Sequence, residues 1–517
     1  MAIDGREQET GLPASAPDGV RQTRLMDPAS WVWPVPFLTL LCVLLARNWS
    51  LFTTRLYEKG DSGANSLLIE QAKHFSLLHG NYSRQGFNHP GPGFLYLQAA
   101  GEWLFHDLLH LVPTAWNGQL LAVFLFESAL IATAVWILYD WTRSLWSTAV
   151  GFAVILGFVA LHPPIVNEAW MPYLYVPAYL VFILATASVA AGRTRHLWVV
   201  AFTGCLLIHG HASFLMFVPV TVVVVIAARW RSLRDGLRGN RAQWITAAVI
   251  CAVFAVPLVV DTALHWPGEF GKYVSYGLSS KAGGHPLGAA VHYVLFYWSP
   301  GRYRWGVAIG LAGAAAVIGL RLVRGELRRF MIAALALGGL TTLLALYYAV
   351  RGIDDLAAPY MEYFYWSVPL VMMIIIGVGV ADRLRVFPVA RVLLAVVVLA
   401  GAGLAASAPK MHTGLRDDEP ALSAAVGDLA GLAPGRPLVL SIDSGTWSDV
   451  TGFLVLAERR GIRACVVGRQ WSVLLSPGLI CGPHDLATGA TFRFHDNRRT
   501  PAAGGSIVRL DVSSVTR

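Results

Sequence analysis

Charge is scarce in this chain. Asp, Glu, Lys and Arg make up 14% of its 517 residues, where soluble domains carry roughly 25%. With 55% hydrophobic residues and a mean hydropathy of +0.54, the composition excludes a wholly water-exposed globule and implies a polytopic α-helical membrane protein. Cysteine is scarce too, five in all. No CxxC, HExxH or other tight ligand cluster occurs, so no structural zinc site is indicated. Phosphate cradles of the GxGxxG or GKS/T kind are missing, which argues against a nucleotide-binding domain. The first ~25 residues lack an apolar core, so residues 1–28 read as a disordered cytoplasmic stretch and the first span as a retained anchor, not a cleaved signal peptide.

Apolar runs are what the chain has in abundance. Eleven of them reach or approach the ~17–25 residues that cross a ~30 Å hydrocarbon core. They cover Trp31–Arg47, Ala115–Leu138, Thr148–Val166, Leu174–Ala190, Leu197–Ile208, Phe214–Ala227, Ile245–Val260, Val307–Leu322, Phe330–Val350, Trp366–Val380 and Val392–Ala406. The fifth and sixth are short. Arginines collect in alternate connections: Arg143; Arg193 and Arg195; Arg229 to Arg241; Arg321 to Arg329; Arg383 to Arg391. Short cytoplasmic loops hold the Lys and Arg excess, so these connections and the N-terminus belong inside, and everything after Pro409 outside. The +9 net charge then reports topology, and no nucleic-acid partner is expected.

Within a membrane domain of residues 29–409, three outer segments are expected at 49–116, 262–304 and 351–365. In the first, GDSGANSLLIEQAKHFSLLHG keeps helical spacing through Leu67, Leu68, Phe75 and Leu78, with Gly80 as the expected C-terminal cap. PGFLYLQAAGEWLFHDLLH, with Glu102, His106 and Asp107, reads as an amphipathic helix in the interface plane. The second segment is a Gly-rich, basic flap, and the third adds carboxylates and aromatics.

Residues 410–517 read as a soluble α/β domain, expected to fold on its own. PLVLSID and IRACVVG are strands around the helix WSDVTGFLVLAERRG, with TFRFHD and SIVRLDV as further strands. Cys465 and Cys481 lie here, where an oxidising compartment permits a disulfide; two separate buried thiols are the alternative.

One anchor, an acidic residue (Asp61) opening the first outer loop, a His-Pro element in NHPGPGFLYLQ, an amphipathic helix and then paired spans with basic inner loops together resemble the GT-C superfamily of lipid-linked-sugar glycosyltransferases. Protein O-mannosyltransferases, aminoarabinose transferases and arabinofuranosyltransferases share that layout. The resemblance covers about the first 190 residues clearly and the remaining spans by architecture. Where the first two groups tend to have His/Lys-Pro-Pro, this chain has His89-Pro90-Gly91-Pro92.

The resemblance implies an inverting transferase on the outer face of a bacterial inner membrane. Its donor would be a polyprenyl-phosphate sugar and its acceptor a glycan, lipid or protein, with membrane lipids around it. It assigns the general base to Asp61; the plain alternative is that Asp61 or Ser62 caps the following helix. Such a reaction needs a base for the acceptor hydroxyl and cations or hydrogen-bond donors for the departing phosphate. His89 is a candidate for orienting phosphate or acceptor, against a mere turn at Pro90 and Pro92. Glu168 is a candidate for a sugar hydroxyl or a metal, against a simple ion pair. Arg84, Lys272, Lys281, Arg302, Arg304 and Arg351 are candidate phosphate contacts, against headgroup contacts. Asn88, Trp170, Tyr173, Tyr360, Tyr363 and Trp366 are candidate sugar contacts, against the usual aromatic enrichment at an interface. His209 and His211 end the fifth span and, at i and i+2, do not form a metal pair on a continuous helix. Trp447, Trp471, Asp443 and Asp449 are candidate acceptor contacts, against solvated loop positions. No cofactor is called for, and a divalent metal is left open. A transporter or flippase of lipid-linked glycans, or a non-catalytic envelope-assembly protein, is the alternative. The first would show repeated halves or broken midplane helices, and the second needs no converging acid and base groups.

Overall fold

The computed structural model describes residues 28–278, 284–299, 301–384 and 420–494. Eight helices among them are long and apolar enough to cross a membrane, so the chain is a polytopic helical membrane protein. Of the expected spans, the third and fifth are shorter helices, Leu145–Leu161 and Leu197–Gly210, of 17 and 14 residues. The third stops where His162 and Pro163 interrupt it before Pro164–Asn167. The eleventh, Val392–Ala406, lies outside the described residues, as do residues 1–27, Lys281 and the expected strand SIVRLDV.

Helices Ala115–Thr142 and Met171–Ala190 form the buried centre, while Arg241–Leu264 and Arg304–Leu322 turn apolar surface outward. A helix apolar on its exposed side suits lipid and not water. The 20 residues of Met171–Ala190 span about 30 Å at 1.5 Å per residue, and its two ends differ in chemistry. Beyond Ala190, Arg143, Arg193 and Arg195 all pair with the buried Asp140, and Arg193 also reaches Glu326 at 2.6 Å. Three arginine-bearing connections therefore meet at one end of the bundle. The candidate site lies at the other.

The helix carrying Asp61 runs from Gly60 to Lys73 and not on to Gly80. His74 ends it, and Phe75 turns into the left-handed region at φ 55°. Gly80 instead donates its N–H to the His89 carbonyl. There follow strands β1 (Tyr82–Ser83) and β2 (Phe87–Asn88), paired antiparallel, and then helix Gly93–Gly101. That helix widens into π-type turns over Glu102–Leu108.

Near the C-terminus, β3 (Leu438–Ile442), β4 (Ala464–Val466) and β5 (Ala490–Phe494) form a parallel sheet in the order β4-β3-β5. Helix Trp447–Arg459 joins β3 to β4, and Cys465 is disulfide-bonded to Cys481. The hydrophobic core of this unit includes Leu67 of the Asp61 helix. Its packing thus crosses into the membrane-associated part, where sequence alone suggested an independent unit.

Candidate functional site

Two helices far apart in sequence set the position of Asp61. The Asp61 helix lies against Trp447–Arg459 so closely that a Cβ added to Gly63 would stand 2.9 Å from Thr451 Oγ1. Ion pairs flank the contact. Lys59 meets Asp449 at 2.8 Å, and Arg459 reaches Glu58 at 2.7 Å, Glu70 at 3.2 Å and Glu102 at 3.5 Å. Lys73 binds Glu102 and Asp107 from the same cluster, at 2.8 and 2.7 Å. Burial opposes the charge on Arg459, but the carboxylates of Glu58, Glu102 and Glu70 overcome it and raise the guanidinium's pKa.

Asp61 is the second residue of its helix, and Lys59 holds the N-cap position without a side-chain cap bond. Capping does not occupy the carboxylate. Its Oδ1 accepts from the Tyr82 hydroxyl and its Oδ2 from Trp170 Nε1 at 3.0 Å. Burial, and then the neighbouring Asp61 charge and hydrogen bond, raise the pKa of the Tyr82 phenol. Tyr82 therefore remains a donor.

Backbone bonds hold the His-Pro element. Gly80 N–H donates to His89 O at 2.8 Å, His89 N–H to Asn81 O at 2.8 Å and Gly91 N–H to His209 O at 3.1 Å. A Cβ on Gly91 would come within 2.4 Å of His209 Nδ1. The imidazole covering this position is the steric reason for glycine here.

His89 and His211 stand 4.3 Å apart, ring to ring. Helix Leu197–Gly210 has ended before His211, which is extended, so the two-residue spacing from His209 does not govern its direction. His89 Nδ1 accepts from Ala212 N–H and His211 Nδ1 from Ser213 N–H, both at 3.2 Å. A backbone N–H only donates, so in each neutral ring the proton is on Nε2. Burial, and for His89 also the nearby His211, hold the imidazoles below their ordinary pKa, His211 at about 4. The pair thus offers two neutral N–H donors.

Asp61, Tyr82, Arg84, His89, Trp170, Tyr175, His211, Tyr360 and Trp447 line one cavity of about 270 Å³. Behind Trp170, Tyr173 stacks on Tyr363 at 5.2 Å and Tyr363 on Trp366 at 4.4 Å. The structure thus brings together Asp61, Arg84, His89 and Trp170, with Tyr173 and Tyr363 one layer behind. Arg84 is also bonded to Asp354 at 2.6 Å.

Asn88 and Lys272 line the adjoining cavities. Both contact Glu269, which accepts from Asn88 N at 2.8 Å and from Lys272 Nζ at 2.7 Å. The Asn88 contact ties the strand pair to helix Gly268–Leu278, on which Glu269 and Lys272 both lie. Of the described residues lining the Asp61 cavity, none is Glu168, Arg302 or Arg351. Arg302 lies over Tyr303, Arg351 ends helix Gly325–Arg351, and Glu168 is in the extended link before Trp170. Among the described residues no group of three or more His, Cys, Asp or Glu is placed to hold a metal ion.

Tyr82 was not singled out by sequence reasoning. Its signal is the turn in YSRQGFN, where Gly86 adopts φ 82° between two aromatic-bearing strands. In comparisons with known proteins, the chain matches no protein-family model and no curated protein.

Proposed function

We propose that the chain is an inverting glycosyltransferase that moves a sugar from a polyprenyl-phosphate donor to an acceptor hydroxyl on the outer face of a bacterial inner membrane. On this reading the membrane part is GT-C-like, crosses the bilayer about eleven times and faces the cytoplasm with its arginine-bearing connections. The C-terminal α/β unit is outside. The single observation that carries the proposal is Asp61: a carboxylate free of capping, held by Tyr82 and Trp170, in a cavity shared with His89, His211 and Arg84. The arginine cluster around Asp140, at the far end of helix Met171–Ala190, supports the orientation.

The chemistry follows from the donor set. The acceptor oxygen attacks the anomeric carbon as Asp61 takes its proton, and the bond from that carbon to the phosphate oxygen breaks with its electron pair going to phosphate. One displacement inverts the anomeric centre. Nε2–H of His89 and of His211, with the Arg84 guanidinium at the cavity edge, stabilise the charge that builds on phosphate. Neutral imidazole donors suit this task because they donate hydrogen bonds to phosphate without needing a proton from solution.

The test is Asp61→Asn in the purified full chain. Asn keeps size and hydrogen bonding but removes the base, so sugar transfer should fall about 10²-fold or more while folding and donor binding persist. Near-normal transfer by the variant would remove Asp61 from the chemistry.

A further inference from the structure

Trp447 belongs to the C-terminal unit in sequence and to the Asp61 cavity in space. Its indole is parallel to that of Trp471, with centroids 6.1 Å apart, and meets the Tyr82 ring edge-on at 6.3 Å. Tyr82 donates to Asp61, so a single side chain separates Trp447 from the carboxylate. The helix bearing it is fixed at both ends, by Asp449 on Lys59 and by Arg459 among Glu58, Glu70 and Glu102. Truncating one partner of such a buried cluster is costly, and the close approach at Gly63 limits sliding. The indole is therefore held in place.

The chemistry of the walls narrows what can bind there. Trp447, Trp170 and Tyr360 give aromatic faces, while Asn65, Asn81 and Ser83 give neutral hydrogen-bonding groups. Aromatic faces cover the C–H side of a sugar ring, and amides and hydroxyls serve its hydroxyl groups. A lipid acceptor would call for a continuous apolar floor, which this mixed lining does not make. Two further cavities adjoin it in turn, each sharing wall residues with the one before. Tyr82 and Leu474 line it and a second cavity of about 110 Å³. His79, Asn88 and Lys272 in turn line the second and a third of about 790 Å³. Ser472, Leu474, Leu475, Ser476, Pro477 and Leu479 of the C-terminal unit contribute to the wall of the second cavity. Together the three cavities have room for more than one sugar ring.

We propose that the C-terminal unit is the acceptor-binding half of the site, that its ligand is a neutral glycan chain, and that Trp447 is the platform for the ring nearest Asp61. The word acceptor rests on the transferase reading above. Glycan binding by Trp447 does not.

The experiment uses the full chain in lipid nanodiscs on an array of neutral linear oligosaccharides derived from mannan, arabinan and glucan, with peptides on the same array. The wild-type protein should retain at least one oligosaccharide series, its longer members better. Trp447→Ala should weaken that retention about tenfold or more, as loss of an aromatic anchor does, and Trp447→Phe should keep most of it. Trp447→Leu fills much of the volume without an aromatic face and should behave like the Ala variant, which covers a failure of the latter to fold. Arg460→Ala, at the other end of the same helix and bonded to Ser423 at the surface, should bind as wild type does. Undiminished retention by Trp447→Leu, retention of peptides alone, or retention of nothing would overturn the proposal. Glycan bound through Trp447 by a chain that never turns over a polyprenyl-phosphate sugar would instead sink the transferase reading alone.

Discussion

Asp61 uses both carboxylate oxygens on side chains that share its cavity, Tyr82 and Trp170, and none on its own helix. A hydrogen bond to a charged group is worth about 1.5–3 kcal/mol, and here it also fixes the direction of the oxygen that must meet a hydroxyl. Tyr82→Phe should therefore lower turnover by about 10- to 10²-fold with little change in fold, a range set by that energy. Steady-state kinetics of the variant beside Asp61→Asn will show it; equal activity of Tyr82→Phe and wild type would deny Tyr82 a positioning role. The histidine pair sets a stability limit on the acid side. His211 is held at about 4 by burial, whereas an unfolded histidine titrates near 6.5. Between those values the unfolded chain binds the extra proton, so stability present above pH ~6.5 is lost as pH falls towards 4. Unfolding midpoints measured over this window should fall, and His211→Gln should flatten the slope. Asp61 and His89 could be found in sequence because each sits in a compact motif. Tyr82 could not, because its role depends on the strand pair that turns it back onto a residue 21 positions earlier.

Among elements, the contact between the Asp61 helix and Trp447–Arg459 decides the architecture of the site. Strand and helix periodicity in the C-terminal unit read correctly from β3 through β5, since alternation and the glycine stop are local signals. The docking of that unit was not legible. Arg459 and Glu70 are 389 positions apart, and an arginine pair at a helix end looks like ordinary solvated charge. Gly80 was misread for a related reason, as a helix cap where it is a tight backbone contact with the His89 segment. Arg459→Ala would leave Glu58, Glu70 and Glu102 without their cation. Removal of one partner from a buried ion pair costs about 3–5 kcal/mol. The variant should unfold at clearly lower temperature and lose transfer, while Arg460→Ala, next to it but bonded to Ser423 at the surface, should do neither. Equal stability of the two variants would mean the cluster does not hold the helices together.

For the whole molecule, one end of the bundle gathers Arg143, Arg193 and Arg195 on Asp140 and the other gathers Asp61, His89, His211 and Trp447. Hydropathy made the class of fold plain, because apolar length is what a bilayer demands. It carried the third span on to Val166, past Pro163 and Pro164, which cut a run that remains apolar in composition, and it ended the fifth at Ile208 where the helix runs to Gly210. The central proposal is that the Asp61 cavity cleaves the bond between a sugar and a polyprenyl phosphate. Its most direct test is to incubate the purified full chain, in membrane lipid, with polyprenyl-phosphate sugars and follow free polyprenyl phosphate and the glycosylated product by mass spectrometry, with the anomeric configuration read by NMR. Release of polyprenyl phosphate coupled to a product of inverted configuration is expected, abolished in Asp61→Asn. Donor that crosses the membrane intact with no release of polyprenyl phosphate would contradict it.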